Sequence, residues 1–238
     1  MIKLDNISFQ DREKVLISNL TLAIQEKDTV VFAGTGESGR SILLKIMAGL
    51  LAPTGGNVLY DEQDIYDSSP DATKKLRRQI GFSFQIEGLL SNLTIEENIF
   101  LPVKFYNAEE ADTYYQSINE LLDYFMIRDT WLKRPAELSM QKIKIISFIR
   151  AIILKPRILY MDDPFFTLDH FSRKRMMSFL QTLKKSGMTL IIVTNSEEII
   201  SNIADRVLLI KNGAIANEFN GNQIADSALT ELEKLFTE

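Results

Sequence analysis

Apolar positions along this chain follow two periods. In the first sixty residues they come in short alternating runs. Ile2 and Leu4 flank Lys3, and Leu20, Leu22 and Ile24 alternate within Asn19–Ile24, which predicts strands buried on one face. Thr29–Ala33 reads as a strand buried on both faces. After it come the glycine-rich stretch Gly34–Ser41 and an apolar run, Ile42–Ala48, that predicts a helix ending near Gly49. A turn at Pro53–Gly56 precedes further strands at Val58–Tyr60 and Ile80–Phe84. From Leu93 to Phe148 the period becomes helical, with Leu121, Leu122, Phe125 and Met126 on one face. Ile158–Met161 and Thr189–Val193 predict two buried parallel strands, the first ending in Asp162-Asp163. Leu229, Leu232, Leu235 and Phe236 predict a short amphipathic helix at the tail. Strands alternating with helices predict an α/β fold with a mostly parallel sheet.

Composition narrows the class. The 238 residues, 45 % hydrophobic and 25 % charged, can bury a sizeable core as one large domain or a core with an inserted lobe. The net charge of −5 supplies no global basic field, so nucleic acid is not an expected partner. Lys74, Lys75, Arg77 and Arg78 read as a solvated helix face. No cysteine is present, which excludes disulfides, thiolate metal sites and cysteine nucleophiles. No apolar run approaches the roughly 18 residues needed to span a bilayer. The start, Met1–Asp5, lacks the apolar core of a signal peptide. A cytoplasmic location is expected, with any membrane contact made through a partner.

The glycine-rich stretch carries the first chemistry. Strand, glycine loop and helix in that order make a phosphate cradle, because consecutive backbone N–H groups and the positive end of the helix converge on an anion. Gly34, Gly36 and Gly39 allow the tight turn, and Ser41 is placed to ligate Mg²⁺. Arg40 supplies positive charge, but its guanidinium is longer and planar where a compact ammonium would sit. Glu37 is the discordant residue. A carboxylate ~5 Å from a phosphate charge costs about 3 kcal/mol at an effective dielectric near 20, unless it points outward or pairs with Arg40. Asp162 and Asp163, at the end of an apolar strand, suit Mg²⁺ handling and activation of a water. His170, the single histidine, reads as a surface or turn residue in a loop after Asp169.

Taken together, these segments resemble the nucleotide-binding subunit of ABC transporters over nearly the whole chain, from about Ile2 to Ile215. LRRQIGFSFQ resembles the approach to that family's Q-loop and places its glutamine at Gln85. RPAELSMQKIKIISFIRAIILKPRILYMDDPFFTLD follows the family's run from signature motif through Walker B to D-loop. LIIVTNSEEIISNIADRVLLIKNGAI resembles the switch region and closing hairpin. The resemblance implies a P-loop core with an N-terminal antiparallel β subdomain and an inserted α-helical subdomain. It divides the chain into a core of about 1–85 and 154–220, a helical lobe of about 86–153 and a C-terminal helix of about 222–238.

ATP and Mg²⁺ are the implied ligands. Phe9 would stack on adenine. Gly34, Gly36, Gly39, Arg40, Ser41 and Ile42 would hold the phosphates, with Ser139 contributing from the signature of a second subunit. Ser41, Gln85 and Asp162 would serve the metal. Asp163 would stand as general base, with Asn195 at the switch position and Gln85 completing the catalytic group. The departures from the family pattern concentrate on γ-phosphate chemistry. Arg40 replaces lysine, Asp163 glutamate and Asn195 histidine, Glu37 stands where glycine is usual, and Met140-Gln141 replace the two signature glycines. Aspartate for glutamate withdraws the carboxylate by about 1.5 Å, a large step when a base must lie within ~3 Å of its proton. Asparagine cannot carry an imidazolium's charge. Expected partners are a membrane-spanning permease and a second nucleotide-binding subunit, identical or different, with the chain peripheral on the inner face of the membrane. Two readings stay open: a subunit that dimerises on ATP and hydrolyses it slowly, or a pseudo-ATPase with a structural or regulatory role. FQIEGLLSNLTIEENIFLPVKF and Phe165 within DDPFFTLD are similar to the ATPases of Mce-type lipid transport systems.

Overall fold

The computed structural model describes residues 1–86, 88–106, 111–221 and 224–237. It opens with a long antiparallel hairpin, β1 (Ile2–Asp11) and β2 (Lys14–Ile24), where the sequence pattern predicts two short strands. The continuity is hidden by bulges. Asn6 and Asn19 take positive φ of 51° and 44°, and the register shifts between Leu4 and Ile7, so inward apolar positions lose their period of two. β4 (Gly55–Tyr60) joins the other side of β1 and β5 (Gln63–Asp64) closes a four-stranded antiparallel sheet in the order β2-β1-β4-β5.

The larger sheet runs β10-β9-β3-β8-β7-β6. Its strands are β3 (Thr29–Gly34), β6 (Ile80–Ser83), β7 (Ile158–Asp162), β8 (Thr189–Val193), β9 (Arg206–Lys211) and β10 (Ala214–Asn220). Neighbours pair in parallel except β9 with β10. All residues of β3, β7 and β8 are buried. Their side chains alternate between two cores, as the pleat requires. Val30, Phe32, Tyr160, Ile191 and Leu208 face the antiparallel sheet and helix α1 (Arg40–Met47). Val31, Ala33, Leu159, Met161, Leu190 and Ile192 face the helices on the opposite side.

Between β6 and β7 the chain forms α3 (Ile95–Tyr106), α4 (Ala111–Tyr124) and α5 (Met140–Ile152), and α2 (Pro70–Arg78) precedes β6. α6 (His170–Lys185), α7 (Glu197–Ile203) and α8 (Leu229–Thr237) follow. Glu87 after the expected Q-loop, 107–110 of the helical stretch, and 222, 223 and 238 of the C-terminal helix lie outside the described residues.

Three local expectations are corrected. Met126 does not continue the apolar face of α4; it follows the helix end with φ of 57° and is exposed. His170 is not in a loop. It is the first residue of α6, because Asp169 caps that helix by accepting the Ser172 amide at 2.8 Å. Phe236 does not join Leu232 in the core but projects to solvent. The basic residues of α2 are exposed, and Arg77 donates to the carbonyl of Gly49 at 3.2 Å. No helix among the described residues is long and apolar enough to cross a membrane.

Candidate nucleotide site

The loop between β3 and α1 sits at the carboxyl ends of the parallel strands, where open α/β sheets bind ligands. Two of its glycines are required by the backbone. Gly34 has φ of 147°, and a Cβ there would meet the carbonyl oxygen of Ile210 at 2.3 Å. Gly39 has φ of 89°, and a Cβ would meet the Leu16 carbonyl oxygen at 2.5 Å. Gly36 faces open space. Gly39 is the N-cap of α1 and offers no side-chain cap, which leaves the first-turn N–H groups of that helix for another acceptor. Ile42 lies half-buried in the same turn. Phe9, paired with Ile17 across the hairpin, packs against the core between the sheets; Ile17 in turn lies under Gly39.

Ser41 and Asp162, 121 residues apart in sequence, meet here: the Ser41 hydroxyl donates to Asp162 Oδ1 at 3.0 Å. Asp162 is buried at the last position of β7, and burial raises its carboxyl above the ordinary range, opposed first by the Ser41 hydrogen bond and then by Lys144 and Lys45. A buried carboxylate and a hydroxyl are hard oxygen donors. They fit Mg²⁺, which is commonly held by one or two protein oxygens together with substrate phosphates. No cluster of three His, Cys, Asp or Glu able to hold a metal by itself occurs among the described residues.

The departures at Glu37, Arg40 and Asn195 take on a different aspect in three dimensions. Glu37 turns outward, 86 % exposed, and pairs with Lys14 of the hairpin at 2.9 Å. The Lys14 hydrogen bond holds its carboxyl below the ordinary range. Arg40 does not meet Glu37. Its guanidinium donates to Asn195 Oδ1 at 2.6 Å and to the Thr35 carbonyl at 3.3 Å. Burial pulls Arg40 below its ordinary value, and the carboxylates of Asp162 and Asp163 oppose that pull. Asn195 also clasps the start of the loop. Its Oδ1 accepts the Gly34 amide at 3.0 Å, and its Nδ2 donates to the Gly34 carbonyl at 2.9 Å. A neutral imidazole, with one donor and one acceptor on different ring edges, could not make these contacts from the same position.

Asp163 adopts φ of 42°; its amide donates to Val193 and its Oδ1 accepts the Thr194 hydroxyl at 3.3 Å. Gln85 is half-buried just beyond β6. Ser139 is exposed and caps α5 by accepting the Lys142 amide at 3.4 Å. The next two residues behave differently. Met140 is 45 % exposed. Gln141 donates to Asp169 Oδ2 at 3.2 Å and to the Ser172 hydroxyl at 2.9 Å, and accepts the Asp169 amide at 3.1 Å. Lys14, Thr35 and Lys144 were not singled out by the sequence reading. Lys144 could have been: it is a cation inside the run Ile143–Phe148, where α5 is apolar on nearly every side, and such a charge must find an interior partner.

Comparison with known proteins agrees with this geometry. The sequence model of the family described as ABC transporter matches residues 17–166. The methionine import ATP-binding protein MetN 1 of Yersinia pestis bv. Antiqua (strain Antiqua) is 30 % identical over 241 residues, covering 99 % of this chain and 70 % of that protein. The macrolide export ATP-binding/permease protein MacB of Campylobacter jejuni subsp. jejuni serotype O:2 is 32 % identical over 219 residues, covering 92 % of this chain and 34 % of the longer protein. Among solved structures, the dimeric post-hydrolysis state of the ATP-binding cassette MJ0796 bound to ADP and Pi superposes with a TM-score of 0.83 at 29 % identity, covering 92 % of this chain and 98 % of that one. An ATP-binding subunit of an ABC transporter reaches 0.87 over the full length of both chains, at the 20 % identity that speaks for fold alone. A phosphate-loop core whose serine and strand-end aspartate meet, in a chain matched by these sequences over nearly its whole length, belongs to the ABC transporter family as a nucleotide-binding domain.

Proposed function

We propose that this chain binds Mg²⁺-ATP and uses it to dimerise with a second nucleotide-binding subunit, driving a membrane permease with slow hydrolysis. The observation that carries the reading is the 3.0 Å contact between Ser41 and Asp162 beside the open start of α1. The first-turn N–H groups of α1, with the loop turns that Gly34, Gly36 and Gly39 allow, would receive phosphate oxygens, Arg40 would supply the cation, and Phe9 would stack on the base. Ser41, Asp162 and Gln85 would hold Mg²⁺, whose part is to neutralise phosphate charge. Ser139, at the exposed start of α5, would face the phosphates bound by the partner subunit. A groove of about 470 Å³ lined by Leu50, Arg77, Phe82, Leu101, Tyr106 and Arg150 would accept a segment of the permease. Transported substrate would be set by that permease; a lipid-handling system is the specific assignment that the similarity to Mce-type ATPases favours.

A second reading, ATP binding without turnover, is favoured by Asn195. Its side chain is engaged by Gly34 and Arg40 rather than free to position a water. Asp163, held to Thr194 and one methylene shorter than glutamate, points the same way. Calorimetric titration with Mg²⁺-ATP tests the first half of the proposal, and absence of binding with and without the permease would refute it. Phosphate release compared with a variant carrying Arg40→Lys, Asp163→Glu and Asn195→His separates the readings. Slow release, raised by the triple exchange, supports hydrolysis; none from the unmodified chain supports the pseudo-ATPase.

A further inference from the structure

Lys144 is 4 % exposed in the middle of α5, among Ile145, Ile146, Phe148 and Ile149, which belong to the helix-side core. A lysine is rarely this buried without partners. Its ammonium donates to the carbonyl of Phe84 at 2.7 Å and to the carbonyl of Asp162 at 2.9 Å. The two acceptors stand at equivalent places. β6 and β7 pair in parallel as far as Ser83 opposite Met161, so Phe84 and Asp162 are the next rung, where Gln85 leaves the sheet. The ammonium closes the ladder at that rung.

Each carbonyl belongs to a peptide unit whose other end is a site residue: Phe84–Gln85 and Asp162–Asp163. The second unit is gripped from both sides, because the Asp163 amide donates to Val193 at 2.8 Å. That grip has a strain to hold. Asp163 takes φ of 42°, a left-handed conformation that L-residues with a Cβ adopt at a cost and keep where the surroundings impose it. Burial pushes the Lys144 ammonium down to about 8, while the carboxylates of Asp163 and Asp162 favour its charged form.

We propose that Lys144 is a positioning residue of the nucleotide site: by fastening the peptide units Phe84–Gln85 and Asp162–Asp163 it sets where Gln85 and Asp162 meet the metal and which way Asp163 points. This rests on the Mg²⁺-ATP reading for its functional part and on the hydrogen bonds for its structural part, and the test keeps the two separate. The full-length chain is compared with Lys144→Met, which keeps the length and removes the donors, with Lys144→Gln, which keeps donors without charge, and with Lys142→Met as a control for loss of a half-buried, ion-paired lysine on the same helix.

Amide hydrogen exchange needs no nucleotide. The Asp163 amide should exchange at least about tenfold faster in Lys144→Met and be unchanged in Lys142→Met. In nucleotide titrations, the gain in ATP affinity on adding Mg²⁺ should shrink about tenfold in Lys144→Met and be at least half recovered in Lys144→Gln, with metal-free ATP affinity within about threefold of the unmodified chain. Unchanged exchange at Asp163, or an intact Mg²⁺ gain in folded Lys144→Met, overturns the proposal. Equal losses with and without Mg²⁺ overturn it too, since they mark a role in stability alone. If Lys144→Met does not fold, Lys144→Gln decides: slower exchange and a larger Mg²⁺ gain than in Lys144→Ala support the role, and equality with Lys144→Ala overturns it. No ATP binding by the unmodified chain would refute the Mg²⁺-ATP reading, and exchange at Asp163 would still decide what Lys144 holds.

Discussion

The phosphate loop and the start of α5 both depart from the pattern that the family resemblance implies, but they do so in different ways. At the loop, each replacement has found a partner inside the same chain. Arg40 reaches Asn195, Asn195 clasps Gly34, and Glu37 is drawn out to Lys14. At the start of α5, Gln141 bonds Asp169 and Ser172, whereas Met140 is turned toward solvent. The lesson is that a replaced motif residue is a loss only when its contacts are counted against the old partner. Arg40 and Asn195 are a matched exchange, in which a longer cation is met by a shorter acceptor. Met140 is exposed at the start of α5; if a second subunit docks there, as proposed above, its consequence lies in assembly.

Removing the cation should break the loop side most strongly. Arg40→Ala deletes the loop's charge and its bond to Asn195, and a loss of about 3 kcal/mol, roughly a hundredfold in Mg²⁺-ATP affinity by calorimetry, is expected. Met140→Gly tests the outward side. Monomer affinity should stay within about twofold, while ATP-dependent dimer formation, followed by sedimentation, should strengthen several-fold as the side chain leaves the gap. Gln141→Ala should lower the thermal midpoint by roughly 3–6 °C without altering ATP affinity, because it removes three hydrogen bonds between α5 and the start of α6. Glu37→Ala should have the smallest effect, within about twofold on ATP affinity, because its carboxylate is already neutralised by Lys14 and held in solvent. A large gain from that change would mean that Glu37 does face the phosphates.

Much of the fold was legible because its signals are local. A two-face-buried strand, a glycine loop and a helix follow one another within twenty residues, and Ile158–Met161 and Leu190–Val193 are apolar without interruption. The long hairpin was not, since bulges at Asn6 and Asn19 spoil the alternation by which strands are read. At the site, sequence distance is the obstacle. Arg40 and Asn195 are 155 residues apart, and each by itself reads as damage to a motif. Their contact becomes visible when β3 and β8 lie side by side. For Lys144 the apolar run around it signals an interior partner but not which one, because its acceptors are backbone carbonyls, which leave no mark in residue types.

The central claim, that the loop is an adapted nucleotide site and not an eroded one, is tested most directly by Mg²⁺-ATP titration of the unmodified chain, Arg40→Lys, Asn195→His and the double variant. The account predicts that each single exchange weakens binding several-fold and that the double exchange recovers most of the loss, a coupling of about 1–2 kcal/mol. Tighter binding by Arg40→Lys on its own, or effects that simply add, would contradict it.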